Sequence, residues 1–124
     1  CKKGNAMQLS ETFATTIAAL TAAQATTAAQ ATTAAPYLEF LRVPAMSAGL
    51  YLLDAGAVDP QTPHVEDELY YVVSGRGHLR IGEHDYPAEA GAVLFVPAHI
   101  EHRFHTITAP LTVLVFFAPA ETIA

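Results

Sequence analysis

Apolar and polar residues follow two different patterns along the chain. In residues 8–35, alanine and threonine occupy most positions, and the large apolar side chains Phe13, Ile17 and Leu20 recur at i, i+4 and i+7. That spacing is typical of one face of a helix. After Pro36, short apolar or alternating runs are interrupted by Gly, Pro, Asp and His, a pattern typical of strands and turns.

The N-terminal stripe predicts a short helix over residues 10–21. Ser10 is a suitable N-cap, and the negative charge of Glu11 suits the first turn of a helix. Beyond Leu20 the sequence becomes an Ala-Gln-Ala-Thr-Thr-Ala repeat of period six, which keeps no single helical face. Because threonine is also a poor helix former, we expect a low-complexity linker from residue 23 to residue 35.

Strands are predicted throughout the rest of the chain, with turn signals between them. Several short strands at regular spacing favour an antiparallel sandwich or a small barrel. We therefore expect an all-β domain over residues 36–124, preceded by a tail, helix and linker over residues 1–35. The predicted strands are Tyr37–Val43, Ala48–Leu53, Glu68–Ser74, Gly77–Ile81, Ala92–Val96 and Leu111–Ala118, and the predicted turns include Asp54–Gly56, Ser74–Gly77 and Gly82–Asp85.

Composition excludes several classes of protein. Hydrophobic residues make up 52% of the 124-residue chain and charged residues 15%, whereas disordered chains are poor in apolar residues and rich in charge. The formal net charge of −6 repels phosphate backbones and anionic lipid, so we expect no nucleic-acid partner. The apolar runs are shorter than the roughly 20 residues of a spanning helix, so we expect no membrane span.

The N-terminus allows two interpretations. Cys1 is the single cysteine of the chain, and it could carry lipid in a surface lipoprotein. Alternatively, residues 1–6 are a cloning remnant in front of a native Met7, which is the interpretation we favour. We accordingly predict a cytoplasmic location, with lipid anchoring as the alternative.

Two clusters of residues carry the candidate chemistry. The first has the form Gly56-x5-Thr62-x-His64-x3-Glu68-x6-Gly75, and the second has the form Gly91-x5-Pro97-x-His99-x2-His102-x3-Thr106. Both clusters resemble the two motifs of the cupin superfamily, over about residues 37–120. The resemblance implies a double-stranded β-helix, or jelly roll, that holds a metal ion at its mouth.

The chain departs from the cupin pattern at three positions: Thr62 replaces the first histidine, His99 a glycine and Thr106 an asparagine. At matching positions the resemblance leaves His64, Glu68 and His102 as metal ligands. Two imidazoles and one carboxylate with open positions opposite them suit non-haem iron(II), and they also accept zinc, nickel or manganese. We therefore expect one divalent metal ion (Fe, Zn, Ni or Mn), bound by three protein groups and water.

The surroundings of this triad are less specific. Glu66 shares strand parity with Glu68 and could be a fourth ligand, although a solvated bend residue is the simpler interpretation. Tyr70 and Phe104 have the parity of Glu68 and His102, so they could wall a small, mostly apolar pocket, and His99 could line its rim. The alternative is that the triad binds no metal: His64 and His102 would be polar residues at the barrel rim, and Glu68 would form a salt bridge to Arg80 or Arg103.

Three functions remain open. The first is a metal-dependent enzyme of the oxygenase type that acts on a small organic molecule; its catalytic residues are not identified, and no organic cofactor is expected. The second is a small-ligand or metal-binding or sensing module without turnover. The third is a structural or lipid-anchored surface protein. Cupins often form dimers, and the edge strand predicted at Tyr37–Val43 needs cover, so we expect a homodimer.

Overall fold

Strands make up most of this protein. The computed structural model describes residues 14–30, 37–59 and 63–122. Within these ranges the chain forms one helix, α1 (Ile17–Gln30), followed by six strands. The strands are β1 (Tyr37–Val43), β2 (Met46–Leu53), β3 (Asp67–Ile81), β4 (His84–Glu89), β5 (Val93–Val96) and β6 (His102–Ala118).

All the strand pairs are antiparallel, and two long strands join the two layers of the barrel. β3 pairs with β6 along its whole length, while its other edge pairs with β5 at its start and with β4 at its end. β2 pairs with the second half of β6, and β1 pairs with β2. The expected all-β jelly roll with an N-terminal helix is therefore confirmed.

The interior of the barrel follows the two-residue period of the strands. Along β3, Glu68, Tyr70 and Val72 are buried and alternate with more exposed neighbours. The same alternation in β6 buries every second residue from His102 to Phe104 and from Leu111 to Phe117. Because side chains two apart on a strand share a face, the core and the polar candidates Glu68 and His102 lie on one inner surface.

β3 bends where a turn was predicted. The predicted strands at residues 68–74 and 77–81 are one continuous strand, so the turn expected at Ser74–Gly77 is wrong. The pairing register with β6 shifts between Val72 and His78, and Gly75 has a φ of 101°. A Cβ atom on Gly75 would overlap the backbone of Pro110. Glycine therefore permits a β-bulge at this position, which bends the strand.

The helix differs from the prediction in position and extent. It spans Ile17–Gln30 instead of residues 10–21, and residues 10–13 lie outside the described residues. The Thr16 side chain caps it, accepting a hydrogen bond from the backbone N–H of Ala19 at 3.1 Å. The linker predicted from residue 23 is therefore wrong as far as Gln30; residues 31–35 lie outside the described residues. Alanine, the strongest helix former, outweighs threonine here.

The helix packs on the outer face of β1 and β2. Leu20 is 2% exposed and forms a second apolar cluster with four strand residues, namely Leu38, Phe40, Ala48 and Leu50. Leu20 therefore anchors the helix to the sheet. In the described residues no helix is long and apolar enough to cross a membrane.

Replacement of Leu20 by alanine should lower the free energy of unfolding by about 2–4 kcal/mol, the usual range for a buried leucine whose cavity cannot close. Chemical denaturation measures the change. Ala18→Ser, on the exposed side of the same helix, is the matched control and should change stability by about 0.5 kcal/mol. Equal stabilities of Leu20→Ala and the parent would show that the helix is dispensable.

Candidate metal centre

Three predicted ligands come together at one end of the barrel interior. Glu68 lies near the start of β3, His102 opens β6, and His64 lies in the segment that leads into β3. Their candidate ligand atoms all lie within 4.8 Å of one another. Two regions that are distant in sequence, residues 64–68 and residue 102, thus converge on one point, as the motif spacing predicted.

Glu68 lies between the two imidazoles. Its Oε1 atom lies 3.0 Å from Nε2 of His102 and 3.8 Å from Nε2 of His64. Glu68 and His102 are each 2% exposed. The alternative of rim histidines with a Glu68–Arg salt bridge is therefore wrong, since His102 is buried and Arg80 pairs with Asp85 at 3.5 Å.

One oxygen of this buried carboxylate has no hydrogen bond. Within the described part of the chain, no donor meets hydrogen-bond geometry at Glu68 Oε1, despite the short distance to His102. Burying an unsatisfied charged oxygen is costly. An oxygen lone pair beside two imidazole nitrogens is the arrangement that a divalent cation would satisfy, so the residues present fit a metal ion.

The orientation of His102 suits ligation. Its Nδ1 atom lies 2.9 Å from the carbonyl oxygen of Ile100. A carbonyl can only accept, so Nδ1 carries a proton, and Nε2 is the ring atom that faces Glu68 and is available to a metal. Burial lowers the pKa of His102, but the contact with Glu68 and the bond to Ile100 outweigh it, so the pKa lies above its ordinary value.

A backbone contact fixes the segment that carries His64. The carbonyl oxygen of His64 accepts a hydrogen bond of 2.6 Å from the backbone N–H of His99. His99 adopts a φ of 70° and its side chain is exposed. The structure thus places His99 beside the site as a backbone anchor. The His64 ring also packs edge-on against Phe117, with centroids 5.0 Å apart.

The other pocket candidates occupy different surroundings. Tyr70 and Phe104 are buried in the barrel core, at 0% and 1% exposure, with their rings edge-on at 4.9 Å. Tyr70 also lies 6.2 Å from the His102 ring, so the core directly supports the site. Glu66 is buried but turns to Thr122, whose N–H and hydroxyl donate to its Oε2 atom. Glu66 is not part of the His64, Glu68, His102 cluster.

Three residues near the site belong to neither of the two sequence motifs. The Glu121 carboxylate lies 3.6 Å from Nδ1 of His64. Asp59, 1% exposed, accepts from the Tyr51 hydroxyl and from the backbone N–H of Phe104. The buried Tyr37 hydroxyl has no hydrogen-bond partner among residues 14–30, 37–59 and 63–122. A lone carboxylate or tyrosine in a strand-rich sequence gives no periodic signal, so sequence reasoning missed all three.

Glu121 sits among other carboxylates. Burial raises its pKa to about 7, and the negative charges of Glu68, Glu66 and Glu39 add to that shift. The candidate site is therefore a region of concentrated negative charge in the metal-free chain. A divalent cation would relieve this repulsion.

Comparisons with known proteins agree with the geometry. A sequence profile described as cupin domain matches residues 49–117. An uncharacterized protein of Streptomyces coelicolor is 50% identical over 86 residues, which cover 69% of this chain and 82% of that protein.

Two solved structures share the fold. A crystal structure of a Thermus thermophilus protein superposes with a TM-score of 0.62 at 25% identity, covering 69% of this chain and 84% of that one. The DMSP lyase DddQ from Ruegeria pomeroyi superposes with a TM-score of 0.59 at 22% identity, covering 64% of this chain and 40% of that one.

Proposed function

The chain belongs to the cupin family, and from that premise we propose that it is a metal-binding cupin in which His64, Glu68 and His102 hold one divalent ion and present it to a small organic molecule. The observation that carries the proposal is the buried Glu68 Oε1 atom, which has no hydrogen bond from the described residues and lies 3.0 and 3.8 Å from two imidazole nitrogens. The ion is Fe, Zn, Ni or Mn, all of which accept these ligands.

The protein groups supply one face of the coordination sphere. His64 and His102 offer their Nε2 atoms, and Glu68 offers Oε1, which leaves positions for water and a ligand. When bound, the metal would supply a Lewis acid, and in the case of iron(II) a centre for dioxygen chemistry. Thr62, at the position of the missing family histidine, lies outside the described residues, so three protein ligands stay a prediction.

The aromatic residues around the triad would orient a ligand and limit water. Phe117 packs on His64, and Tyr70 lies beside His102. The Tyr37 hydroxyl is a buried polar group, and its raised pKa results first from burial and then from Glu121, Glu39 and Glu68. It stays protonated and can donate a hydrogen bond. Apolar walls with a few polar groups are usual for small-molecule sites.

We favour an oxygenase-type enzyme, and a binding or sensing module without turnover is the alternative. Open metal positions beside aromatic walls support the enzyme. The loss of the first family histidine supports the binding module. The DMSP lyase shares only the fold with this chain at 22% identity, so its reaction does not discriminate between the two.

Metal analysis tests the proposal. Protein purified without chelator or nickel resin should contain about one transition-metal ion per chain. Oxygen consumption with iron(II) and a panel of small organic acids, alcohols and thiols then separates the enzyme from the binding module. A chain that neither retains nor takes up a divalent metal would contradict the proposal.

The homodimer, the absence of a nucleic-acid partner and the cytoplasmic location stay predictions. The outer face of β3 and β5 would suit a second copy of the chain. On this face, exposed apolar residues of β3 lie directly opposite exposed apolar residues of β5. The face extends across β6, through Leu114 and Phe116, to the part of the sheet that α1 covers. The exposed residues are Leu69, Tyr71, Val93 and Phe95.

A further inference from the structure

The two nitrogens of His64 face two different carboxylates. Nε2 lies 3.8 Å from Glu68 Oε1, and Nδ1 lies 3.6 Å from Glu121 Oε2. A ring that binds a metal through one nitrogen keeps its proton on the other. The proton on Nδ1 would therefore point toward Glu121. His102 has the corresponding arrangement, with the Ile100 carbonyl as the acceptor at Nδ1.

Hydrogen bonds fix both the backbone N–H and the backbone carbonyl oxygen of Glu121. Its N–H donates to Ser47 Oγ at 2.8 Å, and its carbonyl oxygen accepts from Arg42 Nη2 at 2.8 Å. Arg42 is itself fixed by Glu39, with bonds of 2.7 and 2.9 Å. The next residue, Thr122, is bound to Glu66. The segment is thus tied to β1, to β2 and to the segment that leads into β3.

We propose that Glu121 is a positioning residue that accepts the Nδ1 proton of His64 and so holds Nε2 toward the metal. This inference rests on the proposed metal site and assigns it a partner outside the two cupin motifs. The distance of 3.6 Å lies just beyond hydrogen-bond reach. A metal on Nε2 would withdraw electron density from the ring, which strengthens Nδ1–H as a donor and draws the carboxylate closer.

A carboxylate behind a ligating histidine has a measurable effect. It fixes the tautomer and the ring orientation and makes the imidazole a better ligand, and its loss costs about 10–100-fold in metal affinity. Glu121 also places a negative charge near the metal. Positioning and charge are separable, because glutamine keeps an acceptor oxygen at the same reach while it removes the charge.

Two substitutions of Glu121 test the inference in a chelator competition with zinc. Glu121→Ala removes the acceptor and should weaken zinc binding about 10–100-fold. Glu121→Gln should weaken it by a clearly smaller factor. Nitrogen NMR of the His64 ring in the metal-free chain gives a second readout: the proton should reside on Nδ1 in the parent, and that preference should decrease in Glu121→Ala.

Glu83→Gln is the control for the loss of one negative charge. Glu83 is an exposed carboxylate in the turn between β3 and β4, and it takes no part in the contacts described above that hold Glu121. We expect zinc affinity within about threefold of the parent, below the range for a group behind a ligand. We expect the melting temperature of metal-free Glu121→Ala to stay within a few degrees of the parent. A lower melting temperature would indicate that Glu121 has a merely structural role.

The outcomes separate this inference from the proposed function. If the parent binds no zinc, the proposed site and the role of Glu121 are both wrong. If the parent binds zinc and Glu121→Ala binds it equally well, the metal site stands and the positioning role is wrong. Equal losses in the alanine and glutamine variants, or an equal loss in Glu83→Gln, would show a charge effect alone and would also contradict it.

Discussion

Replacement of His102 by alanine should abolish stoichiometric metal binding, the largest functional effect that we expect from a single substitution. His102 provides one of three protein ligands, its Nε2 atom lies 3.0 Å from Glu68 Oε1, and its orientation is fixed through Ile100. Loss of a ligand should exceed the roughly 10–100-fold cost of changing a group behind one. Metal content after gel filtration and a chelator competition measure the effect.

His105→Ala is the control for that experiment. His105 lies on the same strand but is partly exposed and pairs with Asp85 at 2.8 Å, away from the cluster. It should retain the metal content of the parent. Unchanged metal content in His102→Ala, with circular dichroism of a folded barrel, would show that the ligand assignment is wrong.

The largest effect on stability should come from Phe104→Ala, with a loss of about 3–5 kcal/mol. Phe104 is 1% exposed and contacts the rings of Tyr70 and Tyr51. Its backbone N–H also donates to the buried Asp59, so the strand at this position cannot move to fill the cavity. Urea denaturation of the metal-free chain gives the free energy of unfolding.

Tyr86→Ala, the control, removes an aromatic side chain from an exposed position. Tyr86 is 42% exposed, so the substitution should change stability by about 0.5 kcal/mol or less. A small loss in Phe104→Ala, accompanied by weaker binding of a small ligand, would instead favour the sequence-based interpretation of Phe104 as a pocket wall.

Short apolar segments bounded by turn residues could be predicted as strands from the sequence. The range Tyr37–Val43 matches β1, and Ala92–Val96 matches β5 within one residue. The inward parity of Tyr70 and Phe104 is also confirmed by their burial. At Tyr70 and Phe104 the local pattern and the tertiary packing require the same face of the strand, so a period of two residues is sufficient.

Other elements depend on contacts that no local pattern reveals. β4 (His84–Glu89) was not predicted, since five of its six residues are exposed and only Ala88 is buried. Gly75 was interpreted as a turn residue because a turn and a bulge at positive φ use the same amino acid. The helix extends through the Ala/Thr repeat and is anchored by Leu20, a tertiary contact between segments far apart in sequence.

The candidate site could likewise be predicted only in part from the sequence. The motif spacing placed His64, Glu68 and His102 together, and their atoms do converge. Glu66 shares the parity of Glu68, but the bend before β3 turns it toward Thr122. Glu121 reaches His64 only because the chain crosses back over β1 and β2 after β6. Such a return cannot be inferred from the spacing of residues.

The pairing of the strands also sets the order in which the barrel can be completed. β2 and β3 both pair with β6, which is the last of the strands in the described residues. During synthesis on the ribosome, the backbone N–H and C=O groups on these edges of β2 and β3 stay unpaired until β6 has emerged. Pairing of strands that are far apart in sequence is slow, and a chain with unpaired strand edges is prone to aggregation. The barrel therefore cannot close before β6 has been synthesised, and Glu68 meets His102 only at that stage.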